Sequence, residues 1–167
     1  MKLIEYYQNT RAESIAESIN FYGLINETFD SLKAENQVVK FDLRVDQEIP
    51  FCNDKFRIGL VLKNLISNAL KYQRVEESFP AIDIKVKVDT ENVIILIQDN
   101  GQGIQDEYLD KIFTMFFRAK NENENLGNGL GLYIVKEALN KINGTISVKS
   151  VYKKGTNFEV VIPNISK

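Results

Sequence analysis

The 167-residue sequence contains no histidine and a single cysteine, Cys52. Without histidine, the chain cannot hold a Ser-His-Asp triad, a histidine general base or a His-ligated zinc ion. A phosphohistidine cannot form within it either, so any such chemistry must take place on another polypeptide or on a segment absent from this sequence. One cysteine cannot form an internal disulfide, and a reducing cytoplasm is the compartment that this composition indicates.

The sequence also lacks a long apolar run and an excess of positive charge. No run approaches the ~20 apolar residues that span a bilayer, and the first residues lack the apolar core of a signal peptide. Lys and Arg number 21 against 23 Asp and Glu, so the net charge is -2. We therefore expect no nucleic-acid partner and no direct membrane contact. A hydrophobic content of 44% and a charged content of 26% are ordinary for a globular domain.

The spacing of apolar residues predicts one compact α/β domain. Helices are expected over most of 1–35, with a short extended stretch near 14–19, and over about 54–73 with Asp54 as N-cap, 106–115 and 130–142. Strands are expected over 41–45, 82–88, 93–97, 145–151 and 157–162. Residues 118–128 are polar and aperiodic, which predicts a mobile loop. The economical arrangement is a two-layer α/β sandwich, with helices on one face of a mixed, mostly antiparallel sheet.

Four polar or aromatic residues, Asn64, Asn68, Lys71 and Tyr72, fall within about one quadrant of the long helix. An amide oxygen is a suitable neutral ligand for Mg²⁺, which prefers oxygen and keeps several water and phosphate ligands. Lys71 offers a point charge for phosphate, and Tyr72 an aromatic edge for ribose or base. The alternative interpretation is a solvated helix face.

Asp99 ends an apolar strand, and Gly101, Gly103 and Ile104 follow it. A carboxylate there can accept a hydrogen bond from the exocyclic amine of adenine. Glycines let the backbone pass beneath a base without an obstructing Cβ, and Ile104 offers an apolar wall. Thr156, at the start of the last strand, is placed to share a water or a hydrogen bond with this contact. An ordinary Asx-Gly turn is the alternative.

A glycine-rich stretch opens the helix near residue 130 and contains Gly127, Gly129, Leu130, Gly131 and Leu132. Free N–H groups and the positive end of a helix dipole favour phosphate at such a position. The spacing is neither the dinucleotide fingerprint nor a P-loop. A flexible hinge before a helix is the alternative.

Phe113, Phe116 and Phe117 precede the polar loop, and Arg118 follows them. The aromatic rings are placed to anchor one end of a lid while Arg118 reaches a phosphate. Packing in the core is the alternative for each ring.

Taken in order, these segments resemble the ATP-binding catalytic domain of two-component sensor histidine kinases. That family shares the Bergerat nucleotide-binding fold with Hsp90, type II topoisomerases and MutL. The matching motifs are Asn64–Tyr72 with its N box, Asp99–Gly103 with its G1 box, Phe113–Arg118 with its F box, Gly127–Gly131 with its G2 box, and Gly155–Phe158 with its terminal strand.

The resemblance implies that the chain binds ATP and Mg²⁺. By the family pattern Asn68 binds the magnesium, Lys71 and Tyr72 touch phosphate or ribose, and Asp99 reads adenine. The G2 glycines close over the triphosphate. Phe117 and Arg118 are expected to contribute from the F box.

One position separates the branches of this family. The ATP-hydrolysing relatives carry a glutamate, as general base for water, where this sequence has Asn64, and an amide cannot take that proton. The resemblance therefore implies a phosphotransferase with little hydrolysis of its own. Asn64, Lys71 and Arg118 are its candidate catalytic residues, because in-line transfer needs mainly positioning and charge neutralisation.

Residues 1–12 resemble the last turns of a dimerisation helix and its linker, and residues 13–167 the catalytic domain. We expect a monomer that does not phosphorylate itself, acting on a histidine of a separate dimerisation domain and, through it, on a response regulator. The domain is expected in the cytoplasm, whether or not its parent is anchored in a membrane. Three alternatives remain open: a degenerate, nucleotide-gated binding module, a serine kinase of the anti-sigma-factor type, and an Hsp90-like ATPase.

Overall fold

The structure is a computed structural model that describes residues 2–11, 13–74, 79–118 and 129–166. The helices are α1 (Lys2–Arg11), α2 (Phe21–Leu32), α3 (Lys55–Lys71) and α4 (Gly131–Lys141). The strands are β1 (Ala16–Ser18), β2 (Lys40–Asp46), β3 (Cys52–Asp54), β4 (Ala81–Val88), β5 (Asn92–Asp99), β6 (Thr145–Val151) and β7 (Gly155–Pro163).

Among the described residues the main sheet has five strands, in the order β2-β4-β5-β7-β6. Only the β2–β4 pair is parallel, and the other neighbours are antiparallel. Side chains on β4, β5 and β7 alternate between buried and more exposed positions, as expected for a sheet with one covered face. The prediction of a two-layer α/β sandwich with a mixed, mostly antiparallel sheet is confirmed.

The core lies between the covered face of the sheet and helices α2, α3 and α4. Its members are apolar side chains at helical spacing on the helices and at alternate positions on the strands. They include Phe21, Ile25, Ile58, Leu62, Leu65, Val135, Ala138, Ile84, Ile95, Ile97, Val160 and Ile162. Because α3 packs against both the sheet and α4, most of its circumference is buried, including Arg57 and Asn64.

The predicted long helix and its cap are confirmed. Asp54 precedes α3 with an extended backbone, and its Oδ1 accepts a hydrogen bond from the Arg57 backbone N–H at 2.9 Å. This is the N-cap arrangement, in which a side-chain oxygen satisfies one of the unpaired donors in the first helical turn.

The predicted helix over 106–115 is wrong. A 3₁₀ helix covers only Asp106–Tyr108, and hydrogen-bonded turns follow it. Most backbone bonds there join residues three apart, such as Leu109 N–H to Asp106 O at 3.2 Å, and a single bond from Ile112 N–H to Tyr108 O at 3.1 Å joins residues four apart. The apolar side chains of this stretch pack in different directions: Ile112 joins the main core, whereas Met115 packs on a separate cluster. Tertiary packing therefore overrides the helical pattern.

Helix α1 docks on α3 and α4 through polar and apolar contacts. Arg57 donates from Nε to Asn9 Oδ1 at 3.1 Å and from Nη2 to the Asn9 carbonyl at 3.0 Å. The same guanidinium pairs with Asp54. Nearby, Lys63 Nζ lies 2.7 Å from Glu5 Oε1, and Tyr6 packs against a cluster whose buried members are Leu60, Leu130 and Ile134.

Within the described ranges, none of the helices has the length and apolarity needed to cross a membrane.

Candidate functional site

Asp99 ends β5 on the covered side of the sheet, since it shares that side with the buried Ile95 and Ile97. Its Oδ1 accepts a hydrogen bond from the Gly101 N–H at 2.8 Å, and the backbone N–H of Thr156 also donates to the carboxylate. Burial raises the pKa of Asp99 to about 6, although both hydrogen bonds oppose the rise. The group is therefore mostly ionised at neutral pH, and it can accept a hydrogen bond from a ligand.

The two glycines after Asp99 are required by the protein's own backbone. A Cβ atom at Gly101 would lie 2.4 Å from the carbonyl oxygen of Tyr72. Gly103 has a φ of +65°, and a Cβ atom there would lie 2.1 Å from the carbonyl oxygen of Val151. Gln102 joins the same neighbours, donating from its N–H to Tyr72 O at 2.8 Å. The loop thus passes tightly between the end of α3 and the β6–β7 turn, where only glycine fits.

Asn64 and Asn68 meet the first residue of α4. Asn64 is 1% exposed, and its Nδ2 donates to the Leu60 carbonyl at 2.8 Å. A Cβ atom at Gly131 would lie 3.2 Å from Asn64 Oδ1 and 4.0 Å from Asn68 Oδ1. Both amide oxygens therefore face the N-terminal end of α4. Asn64 therefore lies beneath the start of α4 and is not part of a solvated helix face, which was the alternative interpretation of the sequence.

Lys71 and Tyr72 form a pair at the end of α3. Lys71 Nζ donates to the Tyr72 hydroxyl at 3.2 Å and lies 4.7 Å from the centre of the Tyr72 ring. Both side chains are half-buried. The Lys71 ammonium group is thus held near the C-terminal end of the helix that carries Asn64 and Asn68.

The two backbone segments on either side of residues 119–128 are hydrogen-bonded to each other. Phe116 donates from its N–H to the Gly129 carbonyl at 3.1 Å. Gly129 has a φ of +70°, and a Cβ atom there would lie 2.7 Å from the Phe117 carbonyl oxygen. The predicted F-box and G2 segments therefore meet. Gly127 and the predicted loop lie outside the described residues, apart from Arg118, which is exposed.

The aromatic residues of this region have different environments. Phe116 is 60% exposed, whereas Phe113 and Phe117 pack against the core. The Phe117 ring lies 5.7 Å from that of Tyr108, between centroids. Leu130 is buried, and Leu132 and Ile104 are partly buried against the core. Packing thus accounts for Phe113 and Phe117, and Phe116 is the ring that remains exposed.

Residues 53–165 match the family described as "Histidine kinase-, DNA gyrase B-, and HSP90-like ATPase". The chain belongs to this family. The matched range includes every described residue of the site, from Asn64 to Thr156. Within the family, the chain corresponds to the ATP-binding catalytic domain of sensor histidine kinases, as its ordered motifs predicted.

Similar proteins are sensor kinases. A probable C4-dicarboxylate sensor kinase of Bacillus subtilis is 36% identical over 118 residues, covering 70% of this chain and 22% of that protein. Sensor protein RprX of Bacteroides fragilis is 33% identical over 143 residues, covering 84% of this chain and 27% of that protein. The chain therefore spans only about a quarter of the length of these curated relatives.

Solved histidine kinase structures have the same fold. The catalytic domain of ThkA is 27% identical with a TM-score of 0.75, and the match covers 90% of this chain and 98% of that one. Full-length ShkA, solved in complex with AMPPNP, has a TM-score of 0.81 at 20% identity, covering 99% of this chain and 35% of that one. The histidine kinase fold extends over nearly the whole chain.

Three residues of this histidine kinase domain that support the site were not predicted. Asn100 holds the start of β4, since its Oδ1 accepts from the Ala81 N–H at 2.8 Å. Arg74 donates to Asn100 O at 3.3 Å and to Lys153 O at 2.8 Å. Ser150 Oγ accepts from the Ile104 N–H at 2.8 Å. Asn100 lies within the Asp99–Gly103 motif but was given no role there, and nothing in the sequence marks Arg74 or Ser150, because each acts on residues that are distant along the chain.

Proposed function

We propose that this domain binds Mg-ATP and transfers the γ-phosphate to a histidine on a separate dimerisation domain. The observation that carries the proposal is the position of the Asn64 amide, directly beneath the first residue of α4. A helix N-terminus favours a phosphate group, and the residue beneath it has no capacity to act as a base for water.

The base-binding end of the proposed site is the Asp99 corner. An ionised carboxylate on the covered side of the sheet accepts from the exocyclic amine of adenine. Gly101 and Gly103 hold the loop beside it close to the sheet, and Ile104 contributes an apolar surface. This contact is supported by the hydrogen bonds that fix the Asp99 carboxylate, from the N–H groups of Gly101 and Thr156.

The Asn64 and Asn68 amide oxygens fit a magnesium ion in their chemistry, because Mg²⁺ takes neutral oxygen ligands together with water and phosphate oxygens. The described residues contain no cluster of three Cys, Asp or Glu side chains able to bind a metal by themselves. We assign the direct contact to Asn68, which is half-buried, whereas Asn64 is almost fully covered. When bound, magnesium would neutralise charge on the triphosphate.

The remaining groups position the phosphates. The start of α4, with Gly129, Leu130 and Gly131, offers backbone N–H groups. Lys71, already held beside Tyr72, adds a positive charge, and Tyr72 itself contacts phosphate or ribose. Gly127, Leu132, Phe117 and Arg118 complete the proposed set. For a transfer that depends on alignment and charge neutralisation, Lys71 and Arg118 are the side chains with the required charge.

The acceptor and the downstream partner belong to the proposal as well. The chain has no histidine, so the phosphoryl group must pass to a dimerisation domain and from there to a response regulator. We assign residues 1–12 to the end of the dimerisation helix and its linker, and residues 13–167 to the catalytic domain. The free thiol of Cys52 fits a reducing cytoplasm.

The test is a transfer assay with ATP labelled on its γ-phosphate, Mg²⁺, this domain and a purified His-bearing dimerisation hairpin. Acid-labile label on the hairpin is expected, and a hairpin with His→Ala is the control. Acid-stable label on a protein partner would instead indicate the serine kinase. Steady release of phosphate by the domain alone would indicate the ATPase. ATP binding without transfer to any hairpin tested would indicate the nucleotide-gated module.

A further inference from the structure

Asp99, Thr156 and Ser150 form a row across three neighbouring strands. Asp99 on β5 is in register with Thr156 on β7, and Thr156 is in register with Ser150 on β6. By strand alternation all three side chains lie on the covered side of the sheet. Thr156 is 7% exposed, and its hydroxyl lies 3.0 Å from the hydroxyl of Ser150.

The hydrogen bonds around Ser150 determine the direction of the bond to Thr156. Ser150 Oγ accepts from the Ile104 N–H at 2.8 Å and donates to the Gly155 carbonyl at 2.9 Å. A hydroxyl has one hydrogen and two lone pairs. Only one assignment satisfies all three contacts: Ser150 donates to the Gly155 carbonyl, which cannot itself donate, and accepts from the Ile104 N–H and from the Thr156 hydroxyl. The hydrogen of the Thr156 hydroxyl therefore points along the sheet toward Ser150.

The row formed by Asp99, Thr156 and Ser150 therefore presents hydrogen-bond acceptors to a ligand at the end of the sheet. Thr156 Oγ1 keeps its lone pairs for any other neighbour, and the adjacent Asp99 carboxylate is also an acceptor when ionised. An exocyclic amine satisfies such a row, directly or through a water. A carbonyl oxygen at position 6 of a purine cannot donate to these acceptors. It would face the Asp99 carboxylate and the Thr156 hydroxyl oxygen without forming a hydrogen bond to either.

We propose that Ser150 is a positioning residue for base specificity: it orients the Thr156 hydroxyl as an acceptor and so favours a 6-amino purine over a 6-oxo purine. The Ser150 hydroxyl also accepts from the backbone N–H of Ile104, whose side chain forms the apolar wall of the site. This inference rests on the proposed function, in which Asp99 contacts adenine. It adds a residue that lies outside the four motifs and does not itself touch the nucleotide.

Ser150→Ala is the direct variant, with dissociation constants measured by calorimetry for ATP and GTP in the presence of Mg²⁺. Without Ser150, the Thr156 hydroxyl is free to rotate and donate to the 6-oxo group of guanine. We expect the ratio of GTP to ATP dissociation constants to fall by about three- to tenfold, the effect of one hydrogen bond. Ser147→Ala is the matched control, because Ser147 lies on the same strand but on the exposed side.

A double variant separates orientation from general stability. In a Thr156→Val background the hydroxyl that Ser150 orients is absent, so adding Ser150→Ala should leave the ratio unchanged. Ser150→Cys keeps the approximate size of the side chain with a much weaker donor and acceptor, and serves if Ser150→Ala unfolds. We expect the ratio in Ser150→Cys to move toward that of Ser150→Ala.

The outcomes distinguish this inference from the function on which it rests. If the wild-type domain prefers ATP and the ratio is unchanged in Ser150→Ala and Ser150→Cys, the proposed role of Ser150 is overturned and the adenine contact stands. A loss of affinity for both nucleotides in equal proportion would do the same, because it reports only a structural role. Wild-type domain that binds ATP and GTP equally, or binds neither, would overturn the adenine contact and this inference with it.

Discussion

Asn9 and Arg57 join helix α1 to helix α3 through a buried guanidinium. Arg57 is 2% exposed and donates to both the side-chain and the main-chain oxygen of Asn9. The same guanidinium pairs with Asp54, which also caps α3 and accepts from the Ser14 hydroxyl at 3.0 Å. The linker after α1, the start of α3 and α1 itself therefore share one polar network.

Asn9→Ala should destabilise the domain and loosen α1. The substitution removes the acceptor for Arg57 Nε in a site closed to water, which costs about 1–3 kcal/mol. Chemical denaturation measures the change in the free energy of unfolding, and amide exchange along Lys2–Arg11 measures the loosening. Gln8→Ala, one position earlier on the exposed side of α1, is the control. Equal stability of the two variants would show that the network does not hold α1.

Asn68→Ala should weaken nucleotide binding only when magnesium is present. Loss of the amide oxygen removes a proposed metal ligand, so ATP affinity in Mg²⁺ should fall by about tenfold or more. In excess EDTA the variant and the wild type should bind alike. Isothermal titration under the two conditions makes the comparison, with Ser67→Ala as the neighbouring control. A loss that is the same with and without Mg²⁺ would remove Asn68 from the metal site.

Asp99→Asn should stabilise the nucleotide-free domain above pH 6. Burial raises the pKa of Asp99 from 3.8 to about 6, so the folded state holds its proton more tightly than the unfolded chain. The protonated group contributes its full stability below about pH 4 and loses it as the pH rises through 6. An amide stays neutral throughout, and its advantage should grow over this range to on the order of 2 kcal/mol.

Thermal unfolding of both proteins between pH 4 and 8 tests this dependence. The difference in melting temperature should be small at pH 4 and reach a plateau above about pH 6.5. Asp89→Asn, at an exposed turn where backbone hydrogen bonds from Asn92 and Glu91 lower the pKa of the carboxyl, should show no such stabilisation. A difference that is constant across the range would mean that Asp99 does not titrate near 6.

The same Asp99→Asn variant should bind ATP less selectively. An amide can turn either its oxygen or its nitrogen toward the base, so it accepts from adenine or donates to guanine. The preference for ATP over GTP should fall by about tenfold. Competition binding with both nucleotides measures it. An unaltered preference, despite higher stability of the variant, would argue that Asp99 does not read the base.

Gly129→Ala should impair nucleotide binding more than folding. A Cβ atom there meets the Phe116–Phe117 backbone, and the residue needs a left-handed conformation that costs other residues about 1–2 kcal/mol. The hydrogen bond between the Phe116 N–H and the Gly129 carbonyl should then break, and the affinity for ATP should fall. Gly59→Ala is the control, because no atom lies within 4 Å of a Cβ at that position in α3. That change should leave binding intact and stabilise the helix slightly.

Much of the fold was predictable because its signals are local. Alternation marks β4 and β5, a single carboxylate marks the start of α3, and Gly144 follows the end of α4. Strand β3 was not predicted, because Cys52–Asp54 is short and is defined by its pairing with Ala16–Ser18. The stretch after Asp106 was mistaken for a helix, because its apolar residues pack in two places.

The site was predictable only for residues that belong to a motif or directly follow one. Asp99 and Thr156 could be proposed as neighbours from their positions at the end of one strand and the start of the last, and the register of β5 and β7 places them side by side. Ser150 could not be found in this way, because its partners Ile104, Gly155 and Thr156 come together only when β6 pairs with β7. Asn64 was proposed as a site residue from its amide side chain and its place on the helix. Its burial could not be predicted, because it depends on where α4 begins.

The Asp99–Thr156–Ser150 row lies within paired strands, whereas Gly129 and Gly131 lie in the turn that enters α4 and at that helix's first residue. In the proposed binding mode the nucleoside therefore contacts residues of paired strands, and the polyphosphate contacts a turn and the N-terminus of a helix. A local opening that breaks the hydrogen bond between Phe116 and Gly129 would accordingly weaken the contacts with the polyphosphate and leave the strand pairing beside the base intact.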